Sequence, residues 1–328
     1  MRAVTLPEYG SADSLVVRDV EAPVPGDEDV LVDVIAASLN AADWHIIHGE
    51  PFPLRLAFGL RRPKIVAIGA DVAGRVRAVG ARVEGFSVGD EVIADLSGSG
   101  FSAFAEQACA PARLWVKKPA GLSLVDAAAL PMAGMTALRG LRDVGKLRSG
   151  ERVLVVGATS GVGTFAVQIA RAFGADVTAT SRAEKADLLK GLGITDIIDS
   201  NALDDTLASG ALDRRFDLVF DCAAYRSPFA YQRTLPKGGR YVQVGGAMAQ
   251  LMKAALLGPL VGLATGRRFG TFLQTADAAL LSEVVALVDE GNVRPIVDRV
   301  FPLDDAAAAV RHMEARHTRG KIVISVGG

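Results

Sequence analysis

The sequence has little of what marks a secreted, membrane-spanning or nucleic-acid-binding protein. Cysteine is scarce, because Cys109 and Cys222 are the only two in 328 residues. They are too few for a disulfide framework or a four-thiolate zinc site, and they predict a reducing compartment, which we expect to be the cytoplasm. Charge is balanced, with 36 Lys and Arg against 37 Asp and Glu, so no global field attracts nucleic acid. We therefore expect a small molecule as the partner.

Long hydrophobic runs are also missing. The apolar stretch that most resembles a membrane span, Ala254 to Gly266, lies between Lys253 and Arg267 and is interrupted by Pro259. It is shorter than the roughly 20 residues that a membrane span requires, so we expect no transmembrane segment. We predict a buried or pocket-covering pair of helices here. The alternative is a weak interfacial contact with a membrane, aided by Arg267 and Arg268.

The chain is rich in apolar residues and glycine. Hydrophobic residues make up 50% of it and 35 residues are glycine, which is typical of an α/β protein with tight strand-to-helix turns. Its length predicts two domains. Up to about Pro119, short strands separated by glycine turns predict a β-rich, partly open barrel. These strands are Ala3 to Leu6, Leu15 to Asp19, Val30 to Ala37, Asp71 to Val79, Glu91 to Ala94 and Ala105 to Ala110.

Helices and strands alternate in the second part of the chain. A helical pattern over Leu124 to Val144 precedes Glu151 to Val156, an unbroken apolar strand of the kind that is covered on both faces. The alternation continues to Tyr241 to Val244 and predicts a doubly wound parallel sheet. We assign the tail after Gly270 to the first domain, which gives domain ranges of 1–122, 123–270 and 271–328. Because no flexible linker is present, we expect the domains to be closely joined, with a cleft between them.

A glycine-rich turn follows the first strand of this sheet. Residues 157–163 are Gly-Ala-Thr-Ser-Gly-Val-Gly, and a helical pattern begins at Thr164. A helix N-terminus offers unpaired N–H groups and a partial positive charge, and small residues let a pyrophosphate approach, here through Ala158 and Ser160. The motif departs from G-x-G-x-x-G, so a plain tight turn is the alternative. Its position between a strand and a helix favours a dinucleotide site.

The end of the second strand predicts which dinucleotide binds. An NAD site usually places Asp or Glu there, about 20 residues after the glycines, to hold the ribose 2′-hydroxyl. This strand instead ends in Thr180-Ser181-Arg182, with Lys185 one helical turn further on. A pocket with two cations and no acid suits a 2′-phosphate. We therefore expect NADPH, bound here by Ser181, Arg182 and Lys185; the alternative is that both cations are simply solvated.

Six segments together resemble the medium-chain dehydrogenase/reductase superfamily, and specifically its zinc-less quinone oxidoreductase branch, over essentially the whole chain. The resemblance implies a Rossmann domain for the parallel sheet and a GroES-like fold for the β-rich domain. The segments are Ser-Leu-Asn-Ala-Ala-Asp-Trp-His at 38–45, Ile-Gly-Ala-Asp-Val-Ala-Gly at 68–74, Gly-Asp-Glu-Val at 89–92, Leu-Pro-Met-Ala-Gly-Met-Thr-Ala at 130–137, the turn at 157–163 and Gly-Lys-Ile-Val at 320–323.

The sequence departs from the zinc-dependent members of this superfamily. Where they carry a cysteine ligand it has Asn40, and their Gly-His-Glu is replaced by Gly69-Ala70-Asp71. A second, structural zinc would need clustered cysteines, and residues 91–107 contain none. The four histidines form no ligand set by spacing. We therefore expect that no metal takes part.

The loss of zinc changes which reaction is favoured. Alcohol oxidation benefits from a Lewis acid, whereas hydride addition to an enone or quinone places charge on an oxygen that hydrogen bonds can stabilise. We expect an NADPH-dependent reductase that transfers hydride to a quinone or an α,β-unsaturated carbonyl compound. Two alternatives stay open: a broad-specificity NAD(P)-dependent alcohol or aldehyde dehydrogenase, and an NADPH-binding sensor or membrane-peripheral protein with incidental activity.

Three candidate catalytic residues fall in one predicted loop after the strand Val30 to Ala37. Asn40 is predicted to orient the nicotinamide ribose or the substrate oxygen, since an amide donates and accepts without titrating; the alternative is a turn-capping role. His45 could donate a proton near neutral pH, or could be a packed residue beside Trp44. Asp43 is predicted to orient a neighbour, and solvent could supply the final proton.

The resemblance also implies further cofactor contacts and an assembly. Ser200 departs from the tyrosine that is common in this branch. A homodimer formed through the edge of the nucleotide-binding sheet is implied. The implied contacts are Thr159, Gly161 and Val162 at the phosphates, Ser200 near the adenine, Thr136, Gly245 and Gly246 at the nicotinamide, and Phe272 and Lys321 lining the cleft.

Overall fold

The computed structural model describes residues 1–246 and 248–327, and for Met248 it describes the backbone alone. The chain forms two compact units. Unit 1 comprises Met1–Met135, Thr275–Asp289 and Pro295–Gly328, and unit 2 comprises Thr136–Gln274 and Glu290–Arg294. Where the sequence predicts boundaries after residues 122 and 270, the chain passes from unit 1 to unit 2 after residue 135, inside a helix, and returns after residue 274.

The described residues contain the following elements. The strands are β1 (Arg2–Thr5), β2 (Val16–Asp19), β3 (Asp29–Leu39), β4 (Asp71–Val79), β5 (Glu91–Asp95), β6 (Gln107–Pro111), β7 (Trp115–Lys117), β8 (Arg152–Val156), β9 (Asp176–Ser181), β10 (Asp196–Asp199), β11 (Leu218–Asp221), β12 (Arg240–Gln243), β13 (Arg268–Thr271), β14 (Val297–Pro302) and β15 (Lys321–Ser325). The α-helices are α1 (Ala41–His48), α2 (Leu54–Phe58), α3 (Leu124–Ala127), α4 (Pro131–Leu138), α5 (Gly161–Ala172), α6 (Ala186–Gly191), α7 (Leu203–Ser209), α8 (Met248–Met252), α9 (Gly258–Thr265), α10 (Ala278–Asp289) and α11 (Ala306–Glu314). Arg139–Val144 and Lys253–Leu257 are π-helical, and single 3₁₀ turns lie at Ala12–Ser14, Leu96–Ser99, Ala112–Leu114, Ala183–Lys185, Pro228–Thr234 and Leu303–Asp305.

Unit 1 is built on a sheet in the order β14-β15-β3-β4-β5-β7, with β6 also paired to β3 and a separate β1–β2 pair. The long central strand β3 alternates little, because most of its residues are buried on both faces. The last strand, β15, pairs antiparallel with β3, with Ile322 opposite Leu39. This pairing brings the C-terminal segment beside the end of β3, where Asn40 begins α1.

Unit 2 is built on a parallel sheet in the order β10-β9-β8-β11-β12-β13. One of its apolar clusters contains Leu154, Tyr231, Tyr241 and Phe269, all buried. Because parallel strands end at the same edge of a sheet, the segments after β8, β9, β10, β12 and β13 meet at one edge. The predicted fold class, a parallel Rossmann-like sheet with a separate β-rich unit, is confirmed.

Three local predictions differ from the structure. The predicted helix over 124–144 is divided into α3, α4 and a π-helical segment, and α4 begins at Pro131, a residue that fits the first turn of a helix but not its interior. The loop predicted to carry Asn40, Asp43 and His45 is largely the helix α1. The stretch Ala254 to Gly266 is helical as predicted, but Leu256, Leu257, Leu260 and Leu263 are exposed on it and not buried.

No helix of the described residues is both long enough and apolar enough to cross a membrane.

Candidate active site

Two glycines and a hydrogen bond to β9 determine the conformation of the turn between β8 and α5. Gly157 has a φ of +75°, in the left-handed region. A Cβ on Gly163 would lie 2.3 Å from the Gly157 carbonyl oxygen, so this position excludes every larger residue. The Gly157 N–H donates to Thr180 Oγ1 at 3.0 Å, which ties the turn to the end of β9. The turn therefore needs glycine for its geometry, as the motif predicts.

The predicted phosphate contacts lie at the start of α5. Ser160 is the N-cap of this helix, and its Oγ accepts a hydrogen bond from the Gly163 N–H at 3.1 Å. Gly161 and Val162 lie in the first turn, where the backbone N–H groups of an α-helix have no intrahelical partner. Thr159 is buried in the turn. The structure thus gives Ser160 a capping role and leaves the N–H groups of Gly161 and Val162 without intrahelical partners.

The predicted 2′-phosphate residues follow β9. Ser181 is buried and donates to the Arg182 carbonyl at 2.9 Å, while its own carbonyl accepts from the Ser200 N–H at 2.9 Å. The Arg182 side chain is partly exposed, with its nearest recorded carboxylate, on Glu184, 3.9 Å away. Lys185 lies buried and not on the surface. Of the two predicted cations, Arg182 is therefore the more exposed.

The remaining predicted contacts in unit 2 lie after β12 and β13 or in α4. Gly245 and Gly246 both have positive φ, and a Cβ on Gly246 would lie 2.3 Å from Ala224 Cβ, so the backbone there approaches its neighbour closely. Phe272 follows β13 directly, and Thr136 is buried in α4. Unit 2 thus brings the turn, Ser181, Ser200, Gly245 and Phe272 to the carboxyl edge of its sheet, and this is where open α/β sheets bind ligands.

The predicted catalytic residues lie in unit 1, where Asn40 is the N-cap of α1. The Asn40 N–H donates to Asp43 Oδ2 at 2.8 Å. Asp43 is completely buried, and its Oδ1 has no hydrogen-bond partner among the described residues. Burial raises the pKa of Asp43 to about 8, because a charged carboxylate is poorly solvated there. Asp43 therefore accepts a hydrogen bond from the N-cap residue of α1, and its burial favours the protonated form.

Protein groups engage both hydrogens and one lone pair of the Asn40 side-chain amide. Its Nδ2 donates to Asp71 Oδ2 at 2.9 Å and to the Ser38 carbonyl at 3.3 Å. Its Oδ1 accepts from Lys321 Nζ at 2.5 Å. An amide nitrogen has two hydrogens, so both are engaged. This fixes the orientation of the amide and leaves one lone pair of Oδ1 as its free capacity.

Sequence reasoning missed the acids around Asn40. Asp71 is completely buried and accepts from Ser38 Oγ, Asn40 Nδ2, Lys321 Nζ and the Met132 N–H. Asp95 lies opposite Asp71 in the β4–β5 pair, and burial and the Asp71 charge raise its pKa to about 6. The sequence signal that could have found them is an acidic residue at the end of each of two apolar strands: Asp71 begins β4 and Asp95 ends β5. Lys321, which the resemblance implies at the cleft, belongs to this network.

His45 is packed against other protein groups. Its Nδ1 is 2.8 Å from the Glu50 carbonyl oxygen, and its ring meets the Trp44 ring edge-on with 5.0 Å between centroids. Burial lowers its pKa. A lowered pKa reduces the imidazolium population near neutral pH, and this disfavours His45 as a proton donor.

Comparisons with known proteins agree with this architecture. Residues 26–120 match the alcohol dehydrogenase GroES-like domain and residues 192–324 match the zinc-binding dehydrogenase family. The quinone-oxidoreductase QR1 of Triphysaria versicolor is 31% identical over 99% of this chain and 98% of its own length. This chain belongs to the medium-chain dehydrogenase/reductase superfamily. The predicted family is confirmed, and as a superfamily member the chain is an oxidoreductase that uses a nicotinamide cofactor.

Two further comparisons place this superfamily member among related enzymes. The solved structure of the quinone oxidoreductase from Coxiella burnetii superposes with a TM-score of 0.87 and 28% identity, covering 99% of both chains. The human mitochondrial NAD(P)H oxidoreductase RTN4IP1 is 30% identical over 91% of this chain and 82% of its own length.

The residues of this superfamily member do not fit the zinc that the family name implies. Asn40 offers an amide already bonded to an ammonium, and Ala70 offers no donor. Zinc in proteins takes Cys, His or carboxylate ligands, usually four in tetrahedral geometry. Among the residues that the structure describes, no three or more His, Cys, Asp or Glu side chains are grouped to hold a metal.

Proposed function

We propose that this oxidoreductase is a zinc-independent reductase that uses NADPH to transfer hydride to a quinone or an α,β-unsaturated carbonyl compound. The observation that carries the proposal is the edge of unit 2. Backbone N–H groups at the start of α5 lie beside β9, which ends at Ser181, carries no acid at that end and is followed directly by Arg182. A 2′-phosphate suits this arrangement better than a free ribose 2′-hydroxyl.

The names of relatives favour the acceptor class. A chloroplast envelope quinone oxidoreductase homolog of Arabidopsis thaliana and a 2-methylene-furan-3-one reductase of Solanum lycopersicum are each 32% identical over 99% of this chain. A quinone and a methylene-furanone share an electrophilic carbon conjugated to a carbonyl. Hydride addition to such a carbon moves charge to the oxygen, so hydrogen bonds can replace a Lewis acid.

The residues of the chain have separable roles in this proposal. Bound NADPH supplies the hydride. The N–H groups of Gly161 and Val162 bind its phosphates, and Arg182 pairs with its 2′-phosphate. Asn40 has both amide hydrogens engaged, so it is suited to accept from a ribose hydroxyl and not to donate to a substrate oxygen. Because His45 has a lowered pKa, solvent is the better source of the final proton.

The test is NADPH oxidation by chelator-treated protein against a panel of quinones, enones, aldehydes and alcohols, with NADH as the control cofactor. We expect NADPH-selective turnover of an enone or quinone that a chelator does not reduce. Activity restored only by zinc contradicts the metal-free mechanism. Turnover of alcohols alone indicates the dehydrogenase alternative, and NADPH binding without turnover on any acceptor indicates a sensor.

We also propose a homodimer formed through the edge of the unit 2 sheet. β13 is an edge strand, and the segment before it exposes five large apolar side chains close together in sequence, whereas ordinary surface apolar residues are scattered singly.

Light scattering tests this dimer. It should show a dimer for the wild type, a monomer for Leu260→Glu, and a dimer for Leu56→Glu, which alters an exposed leucine of unit 1. A monomeric wild type contradicts the proposal, and co-sedimentation of that monomer with vesicles would point to a membrane contact instead. The exposed side chains are Met252, Leu256, Leu257, Leu260 and Leu263.

We place the protein in the cytoplasm because its two cysteines are free. Fractionation of the source cells tests this, because curated relatives are named chloroplastic or mitochondrial.

A further inference from the structure

Unit 1 contains a buried acidic cluster, which we define as Asp43, Asp71 and Asp95. At most 2% of each residue is exposed. Lys321 is itself only 3% exposed, and its ammonium contacts Asp71; in the described part of the chain no other cation is in hydrogen-bond or ion-pair contact with any of the three carboxyl groups. Burying a charge is costly unless it is paired, so a cation at this place is a requirement of the cluster.

The Lys321 ammonium is held as a bound cation would be. Its Nζ donates to the Leu39 carbonyl at 3.1 Å, to Asn40 Oδ1 at 2.5 Å and to Asp71 Oδ2 at 3.3 Å. An ammonium has three hydrogens, and each has an oxygen acceptor from the protein. Three oxygens thus surround one fixed positive charge, and no hydrogen of Lys321 is left to contact a cofactor.

The place of this ammonium is informative. By the resemblance, Asn40 corresponds to a cysteine ligand of the zinc-dependent members and Ala70 to the histidine of their Gly-His-Glu. The chain carries neither ligand, but Asn40 and Asp71 provide an oxygen-lined position that holds a cation. Lys321 reaches that position from β15, which pairs with the end of β3.

We propose that Lys321 is the resident cation of unit 1: its ammonium takes the place of a divalent metal at Asn40 and Asp71, compensates the acidic cluster and excludes a metal ion from it. This goes beyond the proposed reaction, because it concerns how the site keeps its positive charge whichever acceptor is reduced. The exclusion is steric and electrostatic, since the ammonium already occupies the oxygens that would bind the ion.

The test removes the ammonium and offers other cations, with Co²⁺, ethylammonium and neutral ethanol as probes. Lys321→Ala should lower Tm by about 6 to 20 °C, because a buried charge loses its partner. Co²⁺ or ethylammonium should then raise Tm well above the effect of ethanol. Wild-type protein should show no Co²⁺-dependent rise in Tm and no visible absorption from bound Co²⁺.

Lys118→Ala is the matched control. Lys118 is another lysine of unit 1 whose side chain is little exposed, with its Nζ donating to the Pro119 and Leu122 carbonyls and 3.2 Å from Glu91 Oε2. Its removal should lower Tm without creating a response to Co²⁺, because it lies outside the acidic cluster.

Two results would overturn the proposal: stoichiometric Co²⁺ binding by the wild type, or a Lys321→Ala variant whose Tm responds to neither cation more than to ethanol. If Lys321→Ala does not fold, Lys321→Met is compared with Lys321→Met/Asp71→Asn, which removes both charges. The proposal requires the double variant to be the more stable, and an equal loss of folding in both contradicts it. These measurements do not depend on enzyme activity, so they stand apart from the test of the reaction.

Discussion

The glycine turn of unit 2 and the polar network of unit 1 use their hydrogen-bonding groups in opposite ways. At the start of α5, backbone N–H groups are left without intrahelical partners and can bind an anion. In unit 1, Asn40 and Lys321 direct all their side-chain hydrogens to protein oxygens. The turn therefore has the free N–H groups that the proposed cofactor site needs, whereas the network holds charges and side chains in fixed positions.

The largest effect should come from adding one methyl group inside the glycine turn. A Cβ on Gly163 would meet the Gly157 carbonyl oxygen at 2.3 Å and the Ala158 Cα at 2.7 Å, both backbone atoms that cannot move without opening the turn. Gly163→Ala should destabilise the protein by about 3 kcal/mol or more. It should also raise the Kd for NADPH by about 100-fold, since the N–H groups that bind phosphate are displaced.

Gly191→Ala is the control for this substitution, because a Cβ at Gly191 meets nothing within 4 Å. Its Tm and its NADPH affinity, measured by the fluorescence of the bound cofactor, should remain near wild-type values. An unchanged Kd in Gly163→Ala would show that the turn is only structural.

The turn was predictable from sequence because its determinants are local. An apolar strand, small residues at fixed spacing and a helical pattern lie within about 20 consecutive residues, and the parallel sheet follows from the strand and helix alternation. The edge strand β13 was missed, since Arg268–Thr271 is short and carries little apolar pattern.

The network was not predictable because its members are distant in sequence. Asn40 and Lys321 are 281 residues apart, and pairing of β15 with β3 brings them together. Asn40 was predicted to be functional, but nothing local shows that its amide is already bonded. The exposure of the leucines in α9 also depends on tertiary packing, which an apolar run does not reveal.

A smaller effect is expected from reversing the charge after β9. Arg182→Asp should raise the Kd for NADPH by about 10- to 100-fold and change the Kd for NADH much less, since an aspartate repels the 2′-phosphate but accepts from a 2′-hydroxyl. Lys190→Asp makes the same charge change on an exposed residue of α6 and should not alter the preference. An unchanged preference in Arg182→Asp would mean that the 2′-phosphate pocket lies elsewhere.

Removing the Asn40 amide tests whether the network serves catalysis. Asn40→Ala should lower kcat by about tenfold while the Kd for NADPH changes by less than about twofold, because the amide is proposed to orient the cofactor for reaction and contributes little to its binding. Ser38→Ala removes another hydrogen bond to Asp71 and leaves the amide in place. It should therefore lower Tm, while its kcat falls less than that of Asn40→Ala. Equal losses of kcat in the two variants would assign Asn40 a structural role only.

The last prediction concerns the interior of unit 1 and is the pH dependence of stability. Burial raises the pKa of Asp43 to about 8 in the fold, well above the roughly 3.9 of an unfolded chain. A raised carboxyl pKa stabilises the protein fully at low pH, and this stability is lost as pH rises from about 4 to about 8.

Asp43→Asn should therefore flatten the profile of unfolding free energy against pH by up to about 1.4 kcal/mol per pH unit in this window. Asp27→Asn, at an exposed carboxylate of unit 1, should leave the profile unchanged. Chemical denaturation at several pH values between 5 and 8 measures both. The remaining slope in Asp43→Asn includes Asp95, whose pKa is raised to about 6, and His45, whose lowered pKa acts in the opposite direction. If the slope does not change, Asp43 is ionised at neutral pH, and the single ammonium of Lys321 then has to compensate one more negative charge in the acidic cluster.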